Sequence, residues 1–520
     1  MRRELTTYLR LPMSRIKTGA TLSRRPALVG GLLLVLMLLT GLGWAVSSPV
    51  ESSPDDNYHL GSIWCPRPAG ESCQTSVVDG DPVVRVPIAV ADESMRCYVL
   101  QSNKSAGCAL GYDDSHMVWS KRFDNGAYPI GYYHFHHLLV GKDVQTSVLV
   151  MRGVNVLIAV TLLGTIGFCA PRQLRRPFIG AIVASWVPMG VYFIASNNPS
   201  SWAVSGLMAY SAATFMAPQQ NGRRRIALVI CAVIGAVMCL TSRYDAAFFL
   251  LVVGLALLFA VPWKRGGWIG LSALAGVALL GFGTFMASSQ VSKVAYFLRV
   301  FEASDPAKSA DKQPFFEKLL VGLETAPKYL GGFWGHTWTP GWHDVPLGAR
   351  APYVLTIMAA GAFVAVGLRR GGWRKWTALA IIVGSMVLLP ALFYANGAMD
   401  TIELYQARYI FPLLAPTFFL MLAVDQDEGA WFTVPQAVWV TVFISLCQTI
   451  TLHTLLLRFV QGAQERWELD LNKHIEWWWS APVSPMMVWF LTTCFATAAL
   501  GTAIAMLTRT ADKHEAPQES

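Results

Sequence analysis

Stretches of about twenty apolar residues recur from residue 27 to residue 507 of this 520-residue chain, and that is the length a helix needs to cross the hydrocarbon core of a bilayer. Windows of this size place spans near 27–46, 149–169, 177–195, 202–218, 226–241, 247–262, 269–288, 352–368, 376–395, 409–424, 434–456 and 485–507. The expected fold class is an all-α polytopic membrane protein with about twelve transmembrane helices and long outer loops. Composition agrees, with 54% of residues apolar and 14% charged, against roughly 25% charged in a soluble domain. A secreted enzyme behind a cleaved leader is not expected, because apolar segments continue toward the C-terminus.

The net charge of +9 raises the question of nucleic acid, and the placement of the bases answers it. The short loops 170–177, 219–225, 263–267 and 369–376 carry Arg172, Arg175, Arg176, Arg223, Arg224, Arg225, Lys264, Arg265, Arg369, Arg370, Arg374 and Lys375, and no acid. The short loops on the other side, 196–202, 242–246 and 396–408, hold only Arg243 and Arg408 as bases. Basic short loops stay cytoplasmic. The N-terminal tail, with Arg2, Arg3, Arg10, Arg15, Lys17, Arg24 and Arg25, agrees. The expectation is a plasma-membrane protein with both termini in the cytoplasm, surrounded by membrane lipids and binding no nucleic acid.

The expected organisation is a basic tail (1–26), a first transmembrane helix (27–46), a long outer loop (47–146) and a transmembrane core (147–424) that includes a second outer loop (289–351). A C-terminal pair of spans (425–507) encloses a Trp-rich outer segment (457–483), and a tail (508–520) follows. Trp467, Trp477, Trp478 and Trp479 among charged residues suggest an interfacial helix in 457–483. Cys65, Cys73, Cys97 and Cys108 all fall in the first outer loop, where an oxidising compartment permits disulfides. Of three pairings, Cys65–Cys73 and Cys97–Cys108 is preferred because both loops are short; a zinc site is the alternative.

The short basic-side loops hold no Walker lysine loop and no Gly-rich nucleotide fingerprint, so chemistry is expected at the outer face. The first outer loop opens Ser52-Ser53-Pro54-Asp55-Asp56-Asn57-Tyr58-His59. With Pro54 in a first helical turn, Asp55 and His59 stand one turn apart on a common face. A carboxylate there is a candidate general base. Asp55, Asp56 and His59 also offer three ligands to a divalent cation, and capping in a solvated loop is the bland alternative. The loop ends Tyr128-Pro129-Ile130-Gly131-Tyr132-Tyr133-His134 before a span carrying Met151-Arg152. An arginine at the lipid end of a span snorkels or pairs with an anion. Other polar clusters flank outer span ends: Asn197-Asn198-Pro199-Ser200-Ser201, Ser242-Arg243-Tyr244-Asp245 and Glu403-Leu404-Tyr405-Gln406-Ala407-Arg408-Tyr409. His336 and Trp338 add an aromatic surface in the second loop. Arg243 and Asp245 are also close enough to pair with one another.

This arrangement resembles the glycosyltransferases of GT-C type and, more narrowly, the family of bacterial membrane proteins called domain of unknown function 2142. Pro54-Asp55-Asp56 with His59, Tyr128-Pro129 through Tyr133 with Met151-Arg152, Asn198-Pro199-Ser200-Ser201 and Gln406-Ala407-Arg408-Tyr409 carry the likeness over most of residues 30–425. The departures are Ile130 and Gly131 after Pro129, where a Pro-Pro pair is more usual, and the run of histidines. The resemblance implies a GT-C-like fold and transfer of a sugar (arabinofuranose or mannose in an actinobacterial envelope) from a polyprenyl-phosphate donor to an extracytoplasmic glycan or lipid. It implies a catalytic acid, Asp55 or Asp56, with His59 beside it. It also implies phosphate-binding cations, for which Arg152, Arg243 and Arg408 are candidates. Tyr133, His134, Asn198, Tyr244, His336, Trp338 and Tyr405 are the candidate substrate contacts. A transporter of lipid-linked sugars or small molecules, and an inactive scaffold of envelope assembly, are the other function classes.

Overall fold

The computed structural model describes residues 24–91, 97–263, 267–288, 314–347, 351–397, 399, 401–425, 430–463 and 468–508. The basic tail before Arg24, Lys264, Arg265, residues 289–313 of the second long loop, Glu465, Arg466, Trp467 and the tail after Thr508 lie outside the described residues.

Helices of seven residues or more are α1 (Arg24–Ala45), α2 (Asp56–Trp64), α3 (Gly131–His137), α4 (Val144–Cys169), α5 (Arg172–Trp186), α6 (Ser200–Met216), α7 (Gly222–Ser242) and α8 (Tyr244–Ala260). They continue as α9 (Trp268–Met286), α10 (Phe315–Gly332), α11 (Ala351–Gly367), α12 (Trp373–Ala395), α13 (Leu414–Ala423), α14 (Val434–Val460) and α15 (Pro485–Thr508). Among the described residues, seven of these are long and apolar enough to cross a membrane: α1, α4, α7, α9, α12, α14 and α15. The other five expected spans coincide with shorter helices. The expected span 177–195 is one of them, divided into α5 and a short helix Met189–Ile194 around Pro188, since proline cannot donate the backbone bond that a continuous helix requires.

With no hydrophobic drive between helices in lipid, close packing holds them together. One close approach is between α6 and α7, where a Cβ on Gly235 would lie 2.5 Å from the Gly206 carbonyl oxygen. Any larger residue at either position would separate the two backbones. Elsewhere α1 packs on α4 and α15, α13 on α5, and α10 on α12.

The first long loop departs from an all-α expectation. It contains a three-stranded antiparallel sheet, β1 (Thr75–Val78), β2 (Asp81–Pro87) and β3 (Met117–Ser120), in the order β1-β2-β3. Val78 pairs with Asp81, leaving Asp79 and Gly80, both at positive φ (54° and 86°), as a two-residue hairpin turn of the kind Asp-Gly favours. Val84 and Val86 on β2 are fully buried, so the inner face of the sheet joins the core that it shares with the helices.

The sulfurs of Cys65 and Cys73, and of Cys97 and Cys108, lie at bonding distance, with Cα separations of 5.6 and 6.3 Å. This is the preferred pairing, and it sets the zinc alternative aside. Non-reducing peptide mass spectrometry is expected to recover both linked pairs. Replacing Cys97 by serine should lower the loop's stability by about 2–5 kcal/mol, read as earlier proteolytic cutting near residue 100. Four free thiols would refute the pairing.

The long loops meet at one face. Trp342 Nε1 of the second donates to Glu51 O (2.8 Å), and Arg458 Nη2 at the end of α14 donates to Asp344 Oδ2 (2.6 Å). The third segment is not the expected interfacial helix. Its described residues 468–484 are non-helical, Trp477 and Trp479 are buried, and Trp479 Nε1 donates to Val46 O (2.7 Å). The Trp479 indole is a strut that ties this strap to the end of the first span.

Candidate functional site

The site begins at the turn that follows α1. The sequence reading places Asp55 inside a helix begun by Pro54. The helix instead begins at Asp56, and Asp55 stands before it in the left-handed conformation (φ 64°, ψ 14°), which aspartate tolerates better than most residues. Asp55 and His59 are still coupled, through the bond from His59 N–H to Asp55 O (3.0 Å). Asp56 turns back and accepts from Ser53 N–H (3.1 Å) and Ser53 Oγ–H (2.6 Å). It is fully buried, so it caps the turn and does not face the solvent-accessible side.

Two distant segments hold the turn by its backbone, the bend before α6 and the one-turn helix Ala407–Ile410. Asn198 Nδ2 donates to Pro54 O (2.9 Å), and Arg408 Nη1 donates to the same oxygen (3.1 Å). Arg152, from α4, donates to the carbonyls of Ala45 (3.1 Å), Ser48 (2.6 Å) and Pro49 (2.7 Å). Its Nη2 lies 4.0 Å from Asp56 Oδ2. Arg152 therefore corrects an expectation: with a side chain 1% exposed and its terminal nitrogens on carbonyls, it is an internal brace and does not present itself to a donor phosphate.

The reactive groups lie around Asp55. Arg408 Nη2 is 2.5 Å from Asp55 Oδ2, and Arg122 Nη2 is 3.8 Å from Oδ1. The Asp55 side chain is 33% exposed while that of Arg408 is 3% exposed, so the carboxylate is the more open member of the pair and covers the guanidinium behind it. Arg408 Nε donates to Gln406 Oε1 (2.5 Å), which fixes the plane of the guanidinium. Arg243 is bidentate to Asp245 (2.8 and 2.6 Å), the pairing left open above, and its Nη1 donates to Ser200 Oγ (3.2 Å). It also lies over the rings of Tyr128 and Tyr409, 5.8 and 5.5 Å from their centroids. Arg408 shares the Tyr409 ring at 5.0 Å. Three guanidinium groups thus face two carboxylates, leaving one surplus positive charge at the site.

Protonation follows burial and charge. Burial pushes the Asp55 carboxyl up, but the Arg408 guanidinium, helped by His59 and Arg122, outweighs it and holds the group below the usual carboxylate range. Burial pushes Asp56 up to about 6 against the pull of Arg152. It pushes His59 down to about 3, so this imidazole is neutral. Its Nδ1 and the Tyr133 hydroxyl hydrogen-bond at 2.9 Å, while Nε2 is buried with no partner among the described residues. His59 sits among the rings of Tyr58, Tyr128 and Tyr133. It can orient the turn but has no route to solvent.

The metal expectation is also corrected. Among the described residues no group of three His, Cys, Asp or Glu side chains could hold a cation. Asp56 points at Ser53 and His59 at Tyr133, away from Asp55. The remaining candidates divide. Tyr133 and Asn198 support the turn. Tyr405 is buried edge-on to Tyr409 (5.5 Å), with Trp338 stacked on Tyr329 (5.4 Å) behind it. His134 Nε2 is bonded to Arg67 O (2.7 Å), and the exposed His336 lies over Tyr353 (4.4 Å). Tyr244 is half-buried at the start of α8. Arg122, Tyr128 and Tyr409 are part of the site although none was singled out as a site residue. Tyr128 and Tyr409 stand inside the quoted motifs, and Arg122 carries no local signal.

A bundle of apolar helices with its polar chemistry gathered at the long-loop face is an integral membrane protein. A sequence model of the family described as "predicted membrane protein (DUF2142)" matches residues 38–417, and the chain belongs to that family. The matched region contains Asp55, Arg122, Arg243 and Arg408. No curated protein and no solved structure matches the chain.

Proposed function

We propose that this protein is a GT-C-type glycosyltransferase of the plasma membrane, which passes a sugar from a polyprenyl-phosphate donor to an envelope glycan or lipid on the outer face. One observation carries the reading: a partly exposed carboxylate in a left-handed turn, flanked by arginines, at the end of a membrane helix. In the resting site Asp55 is a weak base, because Arg408 stabilises its charge. Donor phosphate competes for Arg408, whose planar fork suits two phosphate oxygens. As phosphate takes that guanidinium, the Asp55 carboxylate loses its counter-ion and becomes more basic. The acceptor hydroxyl then gives its proton to Asp55 while its oxygen bonds to the anomeric carbon. The bond from that carbon to the phosphate oxygen breaks, and polyprenyl phosphate leaves with the electron pair. Arg408 and Arg243 stabilise the charge that develops on the leaving phosphate. Tyr409 and Tyr128, both half-buried, offer ring surface against which a sugar packs.

The test is transfer of labelled mannose or arabinofuranose from a polyprenyl-phosphate donor to envelope acceptor by the purified chain in nanodiscs. Label is expected in the acceptor. Donor that crosses the bilayer of sealed vesicles unaltered would favour the transporter reading instead.

The orientation belongs to the same proposal. In intact cells, a cysteine at Lys142 is expected to react with an impermeant thiol reagent, and one at Arg223 is expected to stay unlabelled. Both positions are exposed. The reverse pattern would put the site in the cytoplasm and remove the donor class.

A further inference from the structure

A cavity of about 660 Å³ lies within the helices far from Asp55, bounded by α1, α4, α5, α14 and α15. Its size is within the roughly 300–1,000 Å³ of small-molecule sites. The walls are almost wholly apolar, with Gly164 on α4 and Ala503 on α15 leaving room along them. Polarity is concentrated at one end, where Arg172, Arg175 and Arg224 line the space. Arg172 and Arg175 open α5, Arg224 is in the first turn of α7, and Arg172 and Arg224 both bear electrostatically on Arg175. No acid lines the cavity, and none of the three has a carboxylate partner among the described residues. Arg175 also donates to Ala170 O (3.4 Å) and Phe168 O (3.2 Å), and three like charges at the mouth of an apolar slot suit an anion with a hydrocarbon tail.

A second observation comes from inside the slot. Gln448, about halfway along α14, lines the cavity and is 1% exposed, and neither its amide nitrogen nor its amide oxygen has a hydrogen-bond partner. An unpartnered amide at that depth is costly in a protein interior. The amide atoms themselves are closed off from the cavity and leave its lining there apolar.

We infer that this cavity is a binding site for an anionic phospholipid of the leaflet on the basic-loop side. The phosphate sits among Arg172, Arg175 and Arg224, and the acyl chains run between α1, α4 and α15. Basic pockets between membrane helices are built for such headgroups, and arginine binds phosphate through two parallel N–H groups. The site is independent of the proposed transfer reaction, since it lies at the opposite end of the helices from Asp55.

The experiment is native mass spectrometry of the full chain in detergent, titrated with phosphatidylglycerol or with phosphatidylcholine of the same acyl composition. One phosphatidylglycerol per chain is expected, retained at least tenfold better than phosphatidylcholine. The Arg172→Gln, Arg175→Gln, Arg224→Gln variant is expected to lose that preference, and Arg224→Gln alone, at an exposed position, to weaken it. Equal retention of the two lipids by the unmodified chain overturns the inference, whatever the variants do. So does a preference that survives the triple substitution. Displacement by inorganic phosphate would assign the arginines to a free anion. Displacement by polyprenyl phosphate one for one would give the cavity to the donor, and either result also overturns the inference.

Discussion

Asp55→Asn is expected to reduce sugar transfer 10²–10⁴-fold, the usual range for removal of a positioned general base, while leaving the fold intact. Asparagine keeps the shape, accepts from Arg408 through its oxygen and tolerates the left-handed turn. What it lacks is the ability to take the acceptor's proton. Arg408→Ala acts differently, because that side chain holds Asp55, Pro54 O and, in the proposed mechanism, the donor phosphate. It should raise the apparent KM for donor as well as lower kcat. The pH profile separates the two carboxyls. Asp55 is held below the usual carboxylate range and Asp56 is pushed up to about 6. An acidic limb in kcat/KM lying below pH 4 is therefore expected for the free enzyme. A limb near pH 6 that persists in Asp55→Asn would assign the base to Asp56. Transfer at the unmodified rate by Asp55→Asn would end the proposed mechanism.

Arg152→Ala is expected to destabilise the protein by about 3–5 kcal/mol, the cost of leaving a buried charge without its partner. Three carbonyls at the end of α1 lose their donor, and Asp56 keeps a charge in a site closed to water. Arg152→Lys should recover only part of this, since one ammonium cannot reach three carbonyls as a guanidinium fork does. The loss should depend on pH in a direction set by Asp56. Its folded value, about 6, lies above the ordinary 3.8, so the protonated carboxyl contributes stability below pH 4 that is lost as pH rises through 6. Without Arg152 the folded value moves higher still, and the deficit of the variant should narrow on acidification. Thermal unfolding in detergent at pH 5 and pH 7.5 measures both effects. A variant of unchanged stability with a raised donor KM would return Arg152 to phosphate binding.

The elements legible in the sequence are those a local rule governs. A bilayer demands a run of apolar residues of fixed length, so each expected span has a helix at its place. Two short cysteine loops were legible because chain proximity favours their closure. Asp55 stood out because a carboxylate a few residues beyond an apolar span is rare. The remainder depends on distant partners. Arg408 reaches Asp55 across 353 residues and Arg458 reaches Asp344 across 114, and no window contains such a pair. Arg122 looked like any loop base until the fold set it beside Asp55. The strand Asp81–Pro87 was hidden in a polar segment whose alternation is broken by Pro82. The left-handed turn at Asp55 was invisible because proline before it reads as a helix start.

The turn that carries the carboxylate is held mainly by side chains from the helical part of the chain, Arg152, Asn198 and Arg408, with Arg122 as the loop's own contact to Asp55. The two parts of that loop can therefore diverge at different rates. Among family members, the exposed hairpin of the sheet between Cys73 and Ser120 is expected to vary in length and sequence more than the turn. The suspension points must change together or not at all, so covariation should run between residues 48–56 and these three side chains. On the proposed reaction, that would let the loop adapt to new acceptors while the turn and its partners keep the chemistry the same.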